Sequence, residues 1–181
     1  AKAGELMGIA AKDLQASLDA LAALEPRFAD AISATGYPEA RIRDPGYTTL
    51  LRTIVGQQVS VAAAASVWNK LEALLGEGCA PEKLIAQDFD ALRACGLSRQ
   101  KQGYARSLAE LVLTGALPLD ALPADDEEAI AYLTQVKGIG RWSAEIYLLF
   151  AEGRPDIWPA GDLAVQEGVG RLLKMEARPS E

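Results

Sequence analysis

Apolar residues recur at intervals of three and four positions along nearly the whole chain of 181 residues. The pattern is clearest at Leu14, Leu18, Leu21 and Leu24, and this spacing predicts the buried stripe of an amphipathic helix. No segment alternates apolar and polar residues cleanly enough to predict a strand. The sequence therefore predicts an all-α fold.

Glycine and proline residues divide this pattern into separate helices. Pro26 ends or bends the first helix, because proline has no amide donor and its ring clashes with the preceding turn. No linker is rich enough in Ser, Gly or Pro to separate domains, so one multi-helix domain of two packed lobes is expected over 1–181. Further helices are predicted over 26–35, 46–57, 60–75, 81–86, 88–94, 98–114, 125–135, 141–151 and 162–173.

The residue types present exclude several kinds of chemistry. The chain has no histidine, which excludes histidine-based catalytic triads and histidine-ligated zinc. Its two cysteines, Cys79 and Cys95, cannot supply a four-thiolate metal site or a disulfide framework. Proton transfer must then depend on carboxylates, lysine or tyrosine, and a reduced, intracellular protein is expected.

The net charge of −7, from 18 basic and 25 acidic residues, argues weakly against non-specific binding of nucleic acid. The acidic residues are concentrated in 120–128, whereas 99–106 contains three basic residues and no acid. Local phosphate binding by basic groups and backbone amides therefore stays open. No apolar run approaches the roughly 20 residues of a membrane span, and Ala1–Glu5 lacks the features of a signal peptide, so a cytosolic protein without membrane partners is expected.

Two glycines mark a tight turn between two predicted helices, within the segment Leu133–Ala144. Gly138 and Gly140 flank one apolar residue, and glycine permits both a positive φ and the close approach of another backbone. The free amides at the start of the second helix would form a phosphate cradle, flanked by Lys137 and Arg141. Taken alone, the glycine turn is equally compatible with an ordinary helical hairpin.

A second motif lies 20 residues beyond Trp142, in the segment Trp158–Val165. Asp162 follows a loop that contains Pro and Gly and precedes a predicted helix, so its simplest role is to cap that helix. A carboxylate has two oxygens, and one of them can cap a helix while the other faces a substrate.

These motifs, in this order, resemble those of the helix-hairpin-helix/GPD DNA glycosylases. A third segment, Leu50–Ala62, contains Ile-Val-Gly-Gln-Gln-Val-Ser and looks like the segment that this family places before its DNA-inserting turn. The resemblance covers about residues 40–173 and is closest to the 3-methyladenine DNA glycosylase II proteins of AlkA type. It implies a two-lobed, all-α domain that binds DNA through a helix-hairpin-helix motif.

The resemblance implies that Asp162 is the catalytic residue of a monofunctional glycosylase, which excises 3-methyladenine and 7-methylguanine from duplex DNA in base excision repair. These bases carry a positive charge and leave without a proton, which agrees with the absence of histidine. Trp142 stands where bifunctional relatives have a nucleophilic lysine, so no AP lyase activity is expected. Two cysteines cannot hold the iron-sulfur cluster of some relatives, and no cofactor is expected to be required.

The resemblance also places Trp142 at the pocket for the flipped base. An aromatic residue that relatives carry one turn later is missing, because Ile146 stands there, and Tyr147 and Trp158 are its candidate substitutes. A core position is the other interpretation of Trp142. Relatives insert a wedge residue into the gap left by the flipped nucleotide, and the resemblance implies that this wedge is Gln58 or, alternatively, Gln57. An ordinary polar turn residue is the other interpretation of Gln58.

In the hairpin, the resemblance implies that the amides near Gly138 and Gly140 bind one DNA phosphate. It also implies that the main-chain carbonyls of Thr134, Val136 and Gly138 hold a monovalent cation, Na⁺ or K⁺. Main-chain carbonyls are present in every residue, so the side chains in this segment give no independent support for the cation.

The length of the chain predicts the compact form of the family, without an N-terminal sheet domain. The family usually continues through one more C-terminal helix, so either the protein is unusually short or this chain is cut. The range of excised lesions, including neutral adducts, stays open.

The protein is expected to be a monomer that acts on alkylated double-stranded DNA. It is expected in the cytoplasm and nucleoid of a bacterium or in the nucleus of a eukaryote. Two other classes are a non-catalytic helix-hairpin-helix module that binds DNA and a helical scaffold for protein partners.

Overall fold

A computed structural model describes residues 8–180. These residues form ten α-helices and one short 3-10 helix and contain no strand, which confirms the predicted all-α fold. The start at Ala1–Glu5, predicted to lack a signal peptide, lies outside the described residues, as does Glu181. No helix within 8–180 is long and apolar enough to span a lipid bilayer. The helices are α1 (Ala11–Leu24), α2 (Pro26–Thr35), α3 (Tyr47–Gly56), α4 (Val61–Leu75), α5 (Pro81–Ile85), α6 (Phe89–Ala94), α7 (Arg99–Leu113), α8 (Asp126–Leu133), α9 (Arg141–Phe150) and α10 (Leu163–Leu172), and the 3-10 helix spans Glu77–Cys79.

The helix ends follow local capping signals. The hydroxyl of Ser60 accepts the amide of Ala63 at 3.2 Å and begins α4, and the hydroxyl of Ser98 accepts the amide of Lys101 at 3.3 Å and begins α7. Pro26 is the first residue of α2, so the predicted break at this proline is confirmed. Side-chain caps that are visible in the sequence therefore set the start of the two longest helices of the described chain.

The chain divides into two compact units, and the boundary falls inside α9. The central unit comprises Pro45–Tyr147, and the described part of the terminal unit comprises residues 8–44 and 148–180. In the central unit, α3 packs against α4 and α7, and α7 also packs against α5. Leucines without solvent exposure fill this core, and burial of each contributes about 1.5–3 kcal/mol relative to an exposed position. They include Leu50, Leu51, Leu71, Leu84, Leu92 and Leu108.

In the terminal unit, α1 and α10 both pack against α2. The predicted burial of the leucine stripe on α1 is wrong. None of the residues of α1 is buried, and Leu21 and Leu24 are 37% and 84% exposed. Helical spacing does place these leucines near one face, but α1 packs mainly on the single helix α2, which covers that face only in part.

Candidate DNA-binding and catalytic residues

The hairpin turn (residues 134–140) joins α8 to α9 in the central unit. Gly138 has a φ of +84°, and a Cβ built on it would lie 2.2 Å from Cδ2 of Tyr104, so both its conformation and its surroundings require glycine. Gly140 precedes α9, and its carbonyl accepts the amide of Ala144 at 3.0 Å. The amides of Gly138 and Gly140 donate to no residue within 8–180, so both are available to an anion at the start of α9.

The two basic residues that flank the hairpin differ in their surroundings. Lys137 is exposed and makes no salt bridge with any described residue. Arg141 donates to both carboxylate oxygens of Glu127 and, through Nε, to Oε1 of Glu145 at 2.9 Å. The carboxylate of Glu127 raises the pKa of Arg141, and Arg141 lowers the pKa of Glu127. Two carboxylates therefore partly compensate the charge of Arg141, whereas Lys137 has no acidic partner among the described residues and is the better candidate for phosphate.

Two of the carbonyls predicted to hold a cation already accept hydrogen bonds within the protein. The carbonyl of Val136 accepts the amide of Ile139 at 3.0 Å, and the carbonyl of Gly138 accepts Nε2 of Gln57 at 2.7 Å. A carbonyl oxygen has two lone pairs, so one hydrogen bond at each of these oxygens neither supplies nor excludes a cation. The cation stays a prediction of the resemblance, and no chemistry is derived through it.

The turn between α3 and α4 (residues 57–60) distinguishes the two candidate wedges. Gln58 is exposed and has a φ of +54°, which is uncommon for a residue with a Cβ. Val59 and Val61, on its C-terminal side, are 45% and 87% exposed. The side chain of Gln57, in contrast, is bonded to Gly138. Gln58 is therefore the residue at the exposed tip, with apolar neighbours that the sequence reasoning missed.

The three predicted pocket aromatics also differ. Trp142, in the first turn of α9, is 49% exposed, and Trp158, in the loop before α10, is 62% exposed. Indole rings with this much exposure are unusual in a folded protein and fit a binding role better than a core role. Tyr147 is only 3% exposed, and its hydroxyl accepts the amide of Gly46 at 2.7 Å. The structure thus makes Tyr147 a core residue, because its ring and its hydroxyl are engaged within the central unit.

Asp162 lies in the terminal unit as the N-cap of α10. Its Oδ1 accepts the amides of Ala164 at 2.8 Å and Val165 at 3.1 Å, and its own amide donates to the carbonyl of Pro159 at 3.0 Å. Gln166 of α10 braces the same loop through a 2.7 Å hydrogen bond to the carbonyl of Ala160. The predicted cap is therefore present, and it holds a carboxylate of fixed orientation at the positive end of a helix.

The three basic residues of the segment 99–106 all contact other parts of the protein. Arg99 stacks on the ring of Phe89, with its guanidinium 4.5 Å from the ring centroid. Arg106 donates to two main-chain carbonyls, at 3.0 Å and 2.6 Å. The ammonium of Lys101 donates to the carbonyl of Val55 at 2.7 Å. These three cations are used to join α7 to its neighbours.

A groove of about 520 Å³ lies between α7 and the beginning of the hairpin turn. Arg106, Glu110, Gln135 and Lys137 contribute to its lining, and none of the predicted pocket aromatics does. Sites for flat aromatic ligands have mostly apolar and aromatic walls. The groove is therefore not the pocket for a flipped base.

The glycine hairpin, with exposed amides, precedes α9, and Asp162 caps the following helix, α10. This order is typical of a class of helical proteins that act on DNA. The chain belongs to the HhH-GPD superfamily of base excision DNA repair proteins, whose family profile matches residues 51–181. The predicted family is thereby confirmed.

Among curated relatives, the chain is 35% identical to DNA-3-methyladenine glycosylase 1 of Schizosaccharomyces pombe, over 75% of this chain and 61% of that protein. It is 30% identical to DNA-3-methyladenine glycosylase 2 of Escherichia coli, over 76% of this chain and 53% of that protein. The chain thus spans between half and two thirds of the length of these two relatives.

Solved structures show the same fold. The DNA-3-methyladenine glycosidase of Bacillus halodurans aligns with a TM-score of 0.76 and 32% identity, over 84% of this chain and 71% of that one. The 3-methyladenine DNA glycosylase of S. pombe, in complex with abasic DNA, aligns with a TM-score of 0.74 and 31% identity, over 91% of this chain and 84% of that one.

Proposed function

We propose that this chain is a monofunctional DNA glycosylase that excises alkylated purines, such as 3-methyladenine and 7-methylguanine, from double-stranded DNA. The observation that carries the proposal is the carboxylate of Asp162, held at the N-terminus of α10 by two amides. The names of the relatives, which include two DNA-3-methyladenine glycosylases, support the same activity.

The proposed chemistry needs a negative charge rather than a proton donor. An alkylated purine such as 7-methylguanine is cationic and leaves as a neutral base, while positive charge develops on the deoxyribose. A carboxylate about 4 Å from that charge contributes about 4 kcal/mol at an effective dielectric constant near 20, which corresponds to roughly a thousandfold in rate. Asp162 would supply this stabilisation and would also orient the attacking water. The lack of histidine is then no obstacle.

The hairpin would hold the DNA despite the net charge of −7. The amides of Gly138 and Gly140 would donate to one phosphate, and the exposed ammonium of Lys137 would add a favourable charge. Gln58 would enter the duplex in place of the extruded nucleotide, since it is the exposed tip of its turn.

The test measures the release of 3-methyladenine and 7-methylguanine from methylated duplex DNA. We expect release of free base and strands that stay intact until the abasic sites are cleaved by hot alkali. Strand cleavage without alkali would contradict the monofunctional assignment, which is supported by Trp142 at the position of the lysine in bifunctional relatives. Salt-dependent binding of duplex without any release would instead favour the non-catalytic DNA-binding module.

Trp142 provides a prediction about selectivity. We expect Trp142→Ala to lower the rate of 7-methylguanine excision by about 10- to 100-fold, because stacking on an aromatic ring contributes roughly 1–3 kcal/mol per base. Excision of the neutral base hypoxanthine should decrease less, since a neutral base has no cation–π attraction to lose. Single-turnover rates on the two lesions in one duplex context measure the difference. Equal losses on both lesions would show that charge does not contribute through Trp142.

A further inference from the structure

Three residues on one face of α7 contact the segments that are proposed to handle DNA. Lys101, Tyr104 and Ser107 are spaced three positions apart, so they follow one another along the same side of the helix. Lys101 donates its ammonium to the carbonyl of Val55 at 2.7 Å, in the last turn of α3 and just before the exposed tip at Gln58. A cation at this position is favourable because the last carbonyls of a helix lack intrahelical donors.

The next two residues on this face of α7 contact the hairpin turn. The ring of Tyr104 lies against Gly138 so closely that even a methyl group on Gly138 would collide with it. The hydroxyl of Ser107 accepts the amide of Lys137 at 3.2 Å. One face of one helix therefore supports both the end of α3 and the hairpin.

The end of α3 and the hairpin turn are also joined by a direct hydrogen bond. Nε2 of Gln57 donates to the carbonyl of Gly138 at 2.7 Å, and these residues are 81 positions apart in the chain. Gln57 immediately precedes Gln58, whose φ of +54° must be maintained by its surroundings. All of these contacts lie within the central unit.

We propose that Gln57 is a positioning residue that fixes the wedge Gln58 relative to the phosphate-binding hairpin, with α7 as the common support. This inference rests on the proposed function. Extrusion of a base costs a few kcal/mol, and the wedge offsets that cost only if it enters the stack at the right distance from the gripped phosphate. A misplacement of about 1 Å can reduce a rate by roughly 100-fold, so one hydrogen bond at this junction has a large effect on flipping.

Gln57→Met tests the proposal, because methionine has a similar length and no charge but cannot donate to Gly138. We expect single-turnover excision of 7-methylguanine from a fully paired duplex to decrease by roughly 10- to 100-fold. With an abasic site opposite the lesion, extrusion is cheap and the decrease should be less than about threefold. Equal decreases on the two duplexes would overturn the proposal, as would no decrease on the paired duplex.

Gln87→Met is the matched control. The side chain of Gln87 also donates to a main-chain carbonyl, that of Lys83 at 3.2 Å, but this bond joins α5 to the loop after it. We expect Gln87→Met to excise 7-methylguanine at the wild-type rate within about twofold, as surface changes remote from the site generally do. A decrease equal to that of Gln57→Met would show a general loss of side-chain bonds rather than loss of positioning.

A double-mutant cycle separates positioning from a merely structural role. If Gln57 acts through the wedge, Gln57→Met should have little further effect in a Gln58→Ala background, whereas additive losses would overturn the proposal. Fluorescence of 2-aminopurine placed beside an abasic analogue reports wedge insertion without any chemistry. If the wild-type protein excises no base, the proposed function fails. The fluorescence then tests the positioning role by itself, and a Gln57→Met signal equal to that of the wild type would overturn it.

Discussion

Asp162→Asn is expected to reduce excision of 7-methylguanine about a thousandfold, because it removes the charge that stabilises the developing positive charge on the sugar. Duplex binding should stay within about twofold, since the hairpin is unchanged. The fold should also be unchanged, because asparagine caps helices as well as aspartate does and can still accept the amides of Ala164 and Val165. Single-turnover excision, with binding to an abasic-analogue duplex and thermal unfolding, measures all three.

Two control variants separate the charge from the cap. Asp162→Ala should lose excision to the same extent and should also lose about 1 kcal/mol of stability, because alanine cannot cap α10. Asp125 is also an N-cap, with its side chain bonded to the amide of Glu128 at 2.9 Å, so Asp125→Asn should keep full activity. An Asp162→Asn protein as active as the wild type would refute the catalytic role.

The helices could be predicted from sequence because their signals are local. The helix predicted over 98–114 corresponds to α7, Arg99–Leu113, and its cap at Ser98 is visible in the sequence. The helix predicted over 162–173 corresponds to α10, with its cap at Asp162. In such a cap the side chain and the amide it accepts are two or three positions apart, so both partners can be read from the sequence without the tertiary structure.

The surroundings of the site residues could not be predicted in this way. The contact of Gln57 with Gly138 joins positions 81 apart, and the bond from Gly46 to Tyr147 joins positions 101 apart. Periodicity indicates which side of a helix carries the apolar residues, but it does not tell which element or residue lies opposite. The burial of Tyr147 could not be predicted from sequence because it depends on a partner 101 positions away, whereas the hairpin could be recognised because its glycines and amides lie within one short segment.

Gly138→Ala is expected to destabilise the protein by roughly 2–5 kcal/mol and to abolish DNA binding. Part of the loss comes from the φ of +84°, which costs a residue with a Cβ about 1–2 kcal/mol. The rest comes from the new Cβ, which would lie 2.2 Å from Cδ2 and 2.5 Å from Cγ of Tyr104, and such overpacking costs about 1–3 kcal/mol. For a chain of this size, thermal unfolding should fall by roughly 5–15 °C.

Gly140→Ala is the matched change in the same turn. A Cβ on Gly140 would meet nothing within 4 Å, and this residue has no positive φ, so its stability loss should not exceed about 1 kcal/mol, the cost of a poorer N-cap. Tyr104→Ala should relieve the collision but not the backbone strain, so the double variant Tyr104→Ala/Gly138→Ala should lose less stability than the sum of its single changes. Strict additivity would mean that Tyr104 does not confine the hairpin, and an unfolding temperature for Gly138→Ala equal to that of Gly140→Ala would show that the turn does not require glycine there.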